Sequence, residues 1–296
     1  MALRTEHDKG GNLHKYLDIG GKRFPLVIKE DIIRNIPNVK LREDDVIICG
    51  YPRSGTHWTF ELTSMLLIGR DETVPVWKGK AMLSQVKERD LDLVSSPRVL
   101  NTHLFYEDLP RDVITLRNKI VYVLRDPRDV AVSFYHFYIA NKAGMGYDGT
   151  WGDFLELFIN GKVQWGSWCE HVKNFEEVIK TKRHDQQILV MNYEDTKQNP
   201  TESVKRLSDF LGLSRNDELC SRIAEKCGFK NMAVDKLNYT LLSDNRDIIY
   251  RKGVVGDWKN IFTVAQSEMF DRLLAHNMAD SELVKRYITE PSSLRV

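Results

Sequence analysis

Little in this sequence points outside a reducing, aqueous compartment. Its 296 residues contain four cysteines, Cys49, Cys169, Cys220 and Cys227, with none of the close spacings that hold a metal. Cys220 and Cys227 fall about two turns apart in one predicted helix, too far for a disulfide. No run approaches the roughly 18 apolar residues of a membrane span. The opening MALRTEHDKGG lacks the apolar stretch of a secretory signal. A cytoplasmic protein without metal or membrane segment is expected, and the Asn238-Tyr239-Thr240 sequon is then a chance match. Neither sign of charge dominates. Lys and Arg total 43 against 42 for Asp and Glu, so no global field draws in nucleic acid and any anion site must be a local cluster. Repeats, low-complexity tracts and linkers are missing too, which suggests one domain over residues 1–296.

What is present is ample core material, 42% apolar residues, gathered in short runs. VIICG (46–50), RVLNTH (98–103), KIVYVL (119–124) and QILVMNY (187–193) read as buried strands. Helical signals follow three of them. PRSGT leads into WTFELTSMLL, where Trp58, Leu62 and Leu66 share one face. Asp126 can cap a helix that starts at Pro127, with Asp129 in its first turn. Asn199-Pro200-Thr201-Glu202 reads as cap, proline and capping acid before VKRLSDFLGL. Strands alternating with helices predict an α/β fold, a central parallel sheet flanked by helices. Ligands of such sheets bind beyond the carboxyl ends of the strands.

Three basic, hydroxyl-bearing segments fall where such a ligand would sit. In YPRSGTHW (51–58), small Ser54, Gly55 and Thr56 let backbone N–H groups close around an anion at a helix N-terminus, and Arg53 adds fixed charge. The segment lacks the G-x-x-x-x-G-K-[ST] spacing of a Walker A loop, and a plain strand-to-helix turn would have the same composition. Arg125 ends the third strand, and Ser133 lies two turns into the next helix. Arg251, Lys252 and Gly253 open RKGVVGDWK, a glycine-broken basic loop. Each segment alone is equally a solvated charge; together they suggest a ligand with more than one phosphate.

At these residues the sequence resembles the cytosolic sulfotransferase family. YPRSGTHW is similar to that family's 5′-phosphosulfate loop, commonly YPKSGTTW. RDPRDVAVSFYHF resembles its 3′-phosphate segment, and RKGVVGDWKNIFTVAQSE its C-terminal signature. GTWGDFLELFINGKVQWGSWCEHVKNF and MNYEDTKQNP also look like family segments, so the likeness runs from about residue 40 to about residue 280. It implies 3′-phosphoadenylyl sulfate (PAPS) as sulfuryl donor, no metal, and a small hydroxyl-bearing acceptor. Carried over by position, Arg53, Ser54, Gly55, Thr56, His57 and Trp58 would hold the 5′-phosphosulfate and adenine side. Arg125, Ser133, Arg251, Lys252 and Gly253 would hold the 3′-phosphate, and Tyr193 the adenine region. Trp58 is equally well explained as a core residue of its helix.

NTHLF (101–105) stands where the family commonly has KTHLP, which makes His103 the expected general base. Arg53 replaces the usual loop lysine; it can stabilise charge on the leaving oxygens but cannot release a proton. Ser133 is expected beside these two at the reacting centre. Asn101 replaces a lysine that phenol-sulfating members direct at the acceptor oxygen, which favours neutral alcohols and sterols over acidic phenols. Phe105 replaces the family proline, and Phe137 matches a pocket aromatic, with core packing an equal alternative. In KCGF (226–229), Cys227 and Gly228 stand where the family has hydroxyls near the adenine. Lys259, Thr263, Val264 and Glu268 reproduce the family's KxxxTVxxxE homodimer signature, though a capped surface helix would read the same way. A nucleoside kinase would need a GK[ST] loop and acidic metal ligands, which are not visible. A PAPS-binding pseudoenzyme would account for the drift at positions 53, 101 and 227 but not for retention of His103.

Overall fold

The chain opens with a meander that a search for apolar runs misses, because its strands alternate instead of running apolar. These are β1 (Ala2–His7), β2 (Leu13–Ile19) and β3 (Lys22–Phe24), paired antiparallel in that order. The structure, a computed structural model, describes residues 2–73, 78–235 and 249–288; the Asn238 sequon lies outside them. The chain forms two compact units: residues 1–27, 126–181 and 254–296 make one, and residues 28–125 and 182–253 the other.

The first unit joins the meander to helices Pro127–Ala140, Trp151–Ile159, Trp168–Lys180 and Val264–Asn277. Asp126 caps the first of these as expected, its carboxylate accepting the Arg128 N–H at 2.9 Å. Asp129 accepts the backbone N–H groups of Gly256 (2.7 Å) and Trp258 (3.0 Å), so the acid in the first turn anchors the loop after the basic segment. Arg128 is 1% exposed and pairs with Asp126 and Asp271, each at 3.0 Å. The interior is aromatic: Phe134, Tyr138 and Phe154 meet edge-on or tilted, with Tyr138 4.9 Å from Phe134 and 5.0 Å from Phe154.

The second unit holds the predicted parallel sheet. Strands β4 (Val46–Gly50), β5 (Val99–Thr102), β6 (Lys119–Leu124) and β7 (Ile188–Asn192) pair in the order β5-β4-β6-β7, all parallel. Two of the four apolar runs match their strands to the residue. The other two are trimmed by a residue at each end, and His103 lies just beyond β5. Side chains of β4 and β5 are buried on both faces, as continuous apolar runs in a parallel sheet require. Helices Thr56–Ile68 and Pro200–Leu211 pack on the sheet within this unit. Asn199 takes the N-cap position of the second of these, ahead of Pro200, but at φ −131° and ψ 70° its side chain makes no capping bond. An ion pair closes the amino end of the sheet: Arg98, 1% exposed, donates to Asp45 through Nε at 2.7 Å and through Nη2.

The register decides what meets at the other edge. Cys49 pairs with Thr102 and Tyr122, and Leu124 pairs with Asn192. Gly50, His103, Arg125 and Tyr193 therefore all emerge at the carboxyl edge, where β5 and β6 diverge on opposite sides of β4.

Candidate active site

The loop after β4 is built for close backbone approach. Arg53 has φ 71° and Gly55 φ 107°, both in the left-handed region. That conformation strains an arginine by about 1–2 kcal/mol and a glycine not at all. A Cβ on Gly55 would lie 2.8 Å from the Tyr193 ring, so position 55 admits no side chain. The first intrahelical bond runs from Thr59 N–H to Gly55 C=O, which leaves the helix opening with N–H groups its own ladder does not use. The Ser54 hydroxyl is 1% exposed and has no hydrogen-bond partner. A buried donor without a partner at a positive helix terminus suits an anion.

The charges around this loop are cationic. Arg125 donates to the Arg53 carbonyl at 3.1 Å and lies 4.3 Å over the Tyr193 ring, and Arg53 donates to the Ile249 carbonyl at 3.3 Å. Burial, with the Arg125 and Arg251 guanidiniums nearby, pulls Arg53 down to about 10. Lys78, which the sequence motifs do not mark, donates from Nζ to Thr56 Oγ1 at 2.9 Å and is 5% exposed. Burial, reinforced by Arg53, lowers it to about 7. No spacing announces Lys78: it precedes Gly79-Lys80 in a short turn, far in sequence from every motif.

His103 is oriented by the backbone. Its Nδ1 lies 2.6 Å from the Gly50 carbonyl, which can only accept, so Nδ1 carries the proton and Nε2 is the ring's acceptor. Asn101, expected beside the acceptor, has another task. It is fully buried, and its amide donates to the Lys78 and Ala81 carbonyls, each at 3.0 Å. The amide hydrogens meant for an acceptor hydroxyl are taken up by the backbone of the 78–81 turn.

Aromatic rings lie beside the loop. Trp58 and Tyr193 meet edge-on at 5.5 Å, and Phe229 meets Tyr250 at 6.2 Å. Lys197 Nζ lies 5.8 Å from the Trp58 ring and 5.9 Å from Phe229, its pKa lowered by burial. Gly253 (φ 63°) passes so close to Phe229 that a Cβ would overlap the ring at 2.1 Å. Arg251 and Gly253 are half-buried and Lys252 is exposed. Cys227 follows helix Asp217–Lys226, is buried, and lies with its sulfur 3.6 Å from Met65 Sδ.

Ser133 and Phe137 lie one turn apart on the Pro127–Ala140 helix of the first unit, Ser133 buried and Phe137 half-buried. His57 is half-buried in the first turn of the loop helix. Lys259, Thr263, Val264 and Glu268 are all exposed, Val264 at 76%, and Thr263 forms a capping box with Gln266. Among the described residues, no cluster of three His, Cys, Asp or Glu could hold a metal, and no helix is long and apolar enough to cross a membrane.

A strained loop at a helix N-terminus, ringed by buried cations and facing a backbone-locked histidine, is matched by one family across most of the chain. Residues 43–282 match the sulfotransferase domain family. The chain belongs to that family. This sulfotransferase is 36% identical over 279 residues to rat sulfotransferase 1A1, covering 88% of the chain and 94% of the relative. It is 32% identical over 277 residues to human sulfotransferase 2A1, with 90% and 95% covered. Among solved structures, mouse sulfotransferase SULT7A1 complexed with PAP superposes with TM-score 0.79 at 32% identity, over 92% of this chain and 99% of that one. A retinol dehydratase complex shares the fold at 23% identity and TM-score 0.75. The match to the sulfotransferase family spans residues of both compact units.

Proposed function

We propose that this sulfotransferase moves a sulfuryl group from PAPS to a hydroxyl of a small apolar acceptor, with His103 as general base. The observation that carries the reading is the Nδ1–Gly50 hydrogen bond, which presents Nε2 as a proton acceptor at the sheet edge that also carries the loop. Bound PAPS supplies the sulfuryl group and leaves as PAP. The residues present fit it: the orphaned Ser54 hydroxyl and the Gly55 cradle suit the 5′ anion, and Trp58, Tyr193 and Phe229 suit the adenine. Arg53 and Thr56 would hold the 5′ end, and Arg125, Arg251, Lys252 and Gly253 the 3′-phosphate. The roles of His57, Ser133 and Phe137 rest on the family resemblance.

In this reading His103 Nε2 takes the proton of the acceptor hydroxyl as it becomes a nucleophile, and the Gly50 carbonyl steadies the imidazolium. Arg53, still protonated at pH 7, offsets charge gathering on the leaving oxygens without giving up a proton. Position 101 brings no charge to the acceptor, so neutral alcohols and sterols are favoured over ionised phenols. We read the chain as one cytoplasmic sulfotransferase domain. The exposed Lys259, Thr263, Val264 and Glu268 form its homodimer contact.

The test is sulfuryl transfer from radiolabelled PAPS across phenol, sterol, amine and aliphatic alcohol panels. Sulfated product with alcohols or sterols supports the reading. Tight PAP binding with no product from any class would make the chain a nucleotide-binding pseudoenzyme.

A further inference from the structure

Lys78 has no obvious structural reason to be a lysine. It is 5% exposed, and its ammonium donates to one neutral hydroxyl, Thr56 Oγ1. Among the described residues it makes no ion pair, and Arg53, another cation, is the charged group that acts on it. A buried charge in that state is costly, and an apolar side chain of the same length would relieve the cost. Yet its position is built with care. Asn101 directs its amide hydrogens to the carbonyls at both ends of the 78–81 turn, and Leu83 N–H bonds the Asn101 carbonyl at 3.0 Å, which ties the segment to β5. The hydroxyl it reaches belongs to the first residue of the loop helix, two residues from the buried Ser54 hydroxyl that has no partner.

We propose that Lys78 is a further cosubstrate-binding residue, whose ammonium engages the 5′ anion of the nucleotide and takes up a proton as that anion binds. The proposal rests on the PAPS reading above. An anion beside the amine restores the charged form that burial and Arg53 disfavour. Near neutral pH the empty site is only partly charged, since Lys78 sits at about 7 with Thr56, Asn101 and Arg53 as the groups around it. Binding then completes the charge, and affinity falls as pH rises above 7. Asn101 becomes a positioning residue that acts through Lys78.

Calorimetry on the intact protein tests this with PAP as probe, in HEPES and Tris at pH 8, where the two buffers' ionisation heats report proton uptake. PAP should bind with uptake of about 0.5–1 proton per site. Adenosine 3′-phosphate, which lacks the 5′ anion, should bind without it. Lys78→Met should remove the uptake and weaken PAP by about 10- to 100-fold at pH 6.5, the scale of a charge-assisted hydrogen bond. Lys78→Arg should keep affinity without uptake. Binding of PAP by the wild type with no uptake at pH 8, equal uptake with adenosine 3′-phosphate, or unchanged uptake in Lys78→Met would each overturn the inference. If Lys78→Met does not fold, the two wild-type arms decide alone. A wild type that binds neither nucleotide would instead overturn the PAPS reading, and this inference with it.

Discussion

Replacing Lys78 should make the empty protein more stable at acid pH, and the size of the gain follows from the structure. The ordinary lysine value of 10.5 applies to the unfolded chain, against about 7 in the fold. At about 1.36 kcal/mol per pH unit the gap corresponds to about 5 kcal/mol, incurred when the buried amine is held charged. Relaxation and water entry reduce such penalties, and roughly 2–3 kcal/mol is a realistic figure. Losing the hydrogen bond to Thr56 returns about 1 kcal/mol in the other direction. The net gain for Lys78→Met at pH 6 is therefore about 1–2 kcal/mol. The sign with pH is fixed by proton counts. Between pH 7 and 10.5 the unfolded chain holds a proton that the fold has lost, so wild-type stability rises with pH across that window relative to the variant. The two urea-denaturation curves should cross, with the variant ahead at pH 6 and level or slightly behind at pH 9. Parallel pH profiles, with Lys78→Met the less stable throughout, would refute the reasoning, because Lys78 would then be an ordinary structural contact.

His103→Ala should lower kcat by roughly 10²-fold or more while PAP affinity by calorimetry stays within a few-fold, since the ring acts on the acceptor's proton and not on the nucleotide. Arg53→Lys should keep most turnover and Arg53→Met should lose about 10²-fold, measured by initial rates; equal rates would assign the anion to the loop backbone alone. Arg98→Met should cost about 3–5 kcal/mol in urea denaturation, because it leaves the Asp45 carboxylate buried without its partner, and Arg98→Met paired with Asp45→Leu should recover much of that loss.

How much of this molecule was legible in its residues depends on the range of the forces involved. Strands β4 and β6 and the Asp126 cap are set by local terms, apolar runs and a carboxylate two residues from the N–H it accepts, so their boundaries could be read directly. The loop at 51–55 was legible for the same reason, small residues placed between a buried strand and a helix. The β1–β3 meander does not stand out as an apolar run because β1 is largely exposed and β2 mixes buried with exposed positions. Asn199 holds its expected place before Pro200, but a capping bond also depends on a backbone geometry that residue type alone does not fix.

The site divides along the same line. His103 and Arg53 are named by their motifs, and the sequence by itself determined the fold class, the loop and the candidate base. Three facts about the site were decided by tertiary structure. Parallel register brought Gly50, His103, Arg125 and Tyr193 to one edge, although they are spread over 143 positions of chain from 50 to 193. Packing set the Cys227 sulfur against Met65. Folding of the 78–81 turn onto Asn101 placed a lysine at Thr56 that no spacing could announce. Charge at a buried point depends on everything packed around it, and that neighbourhood exists only once the chain has closed.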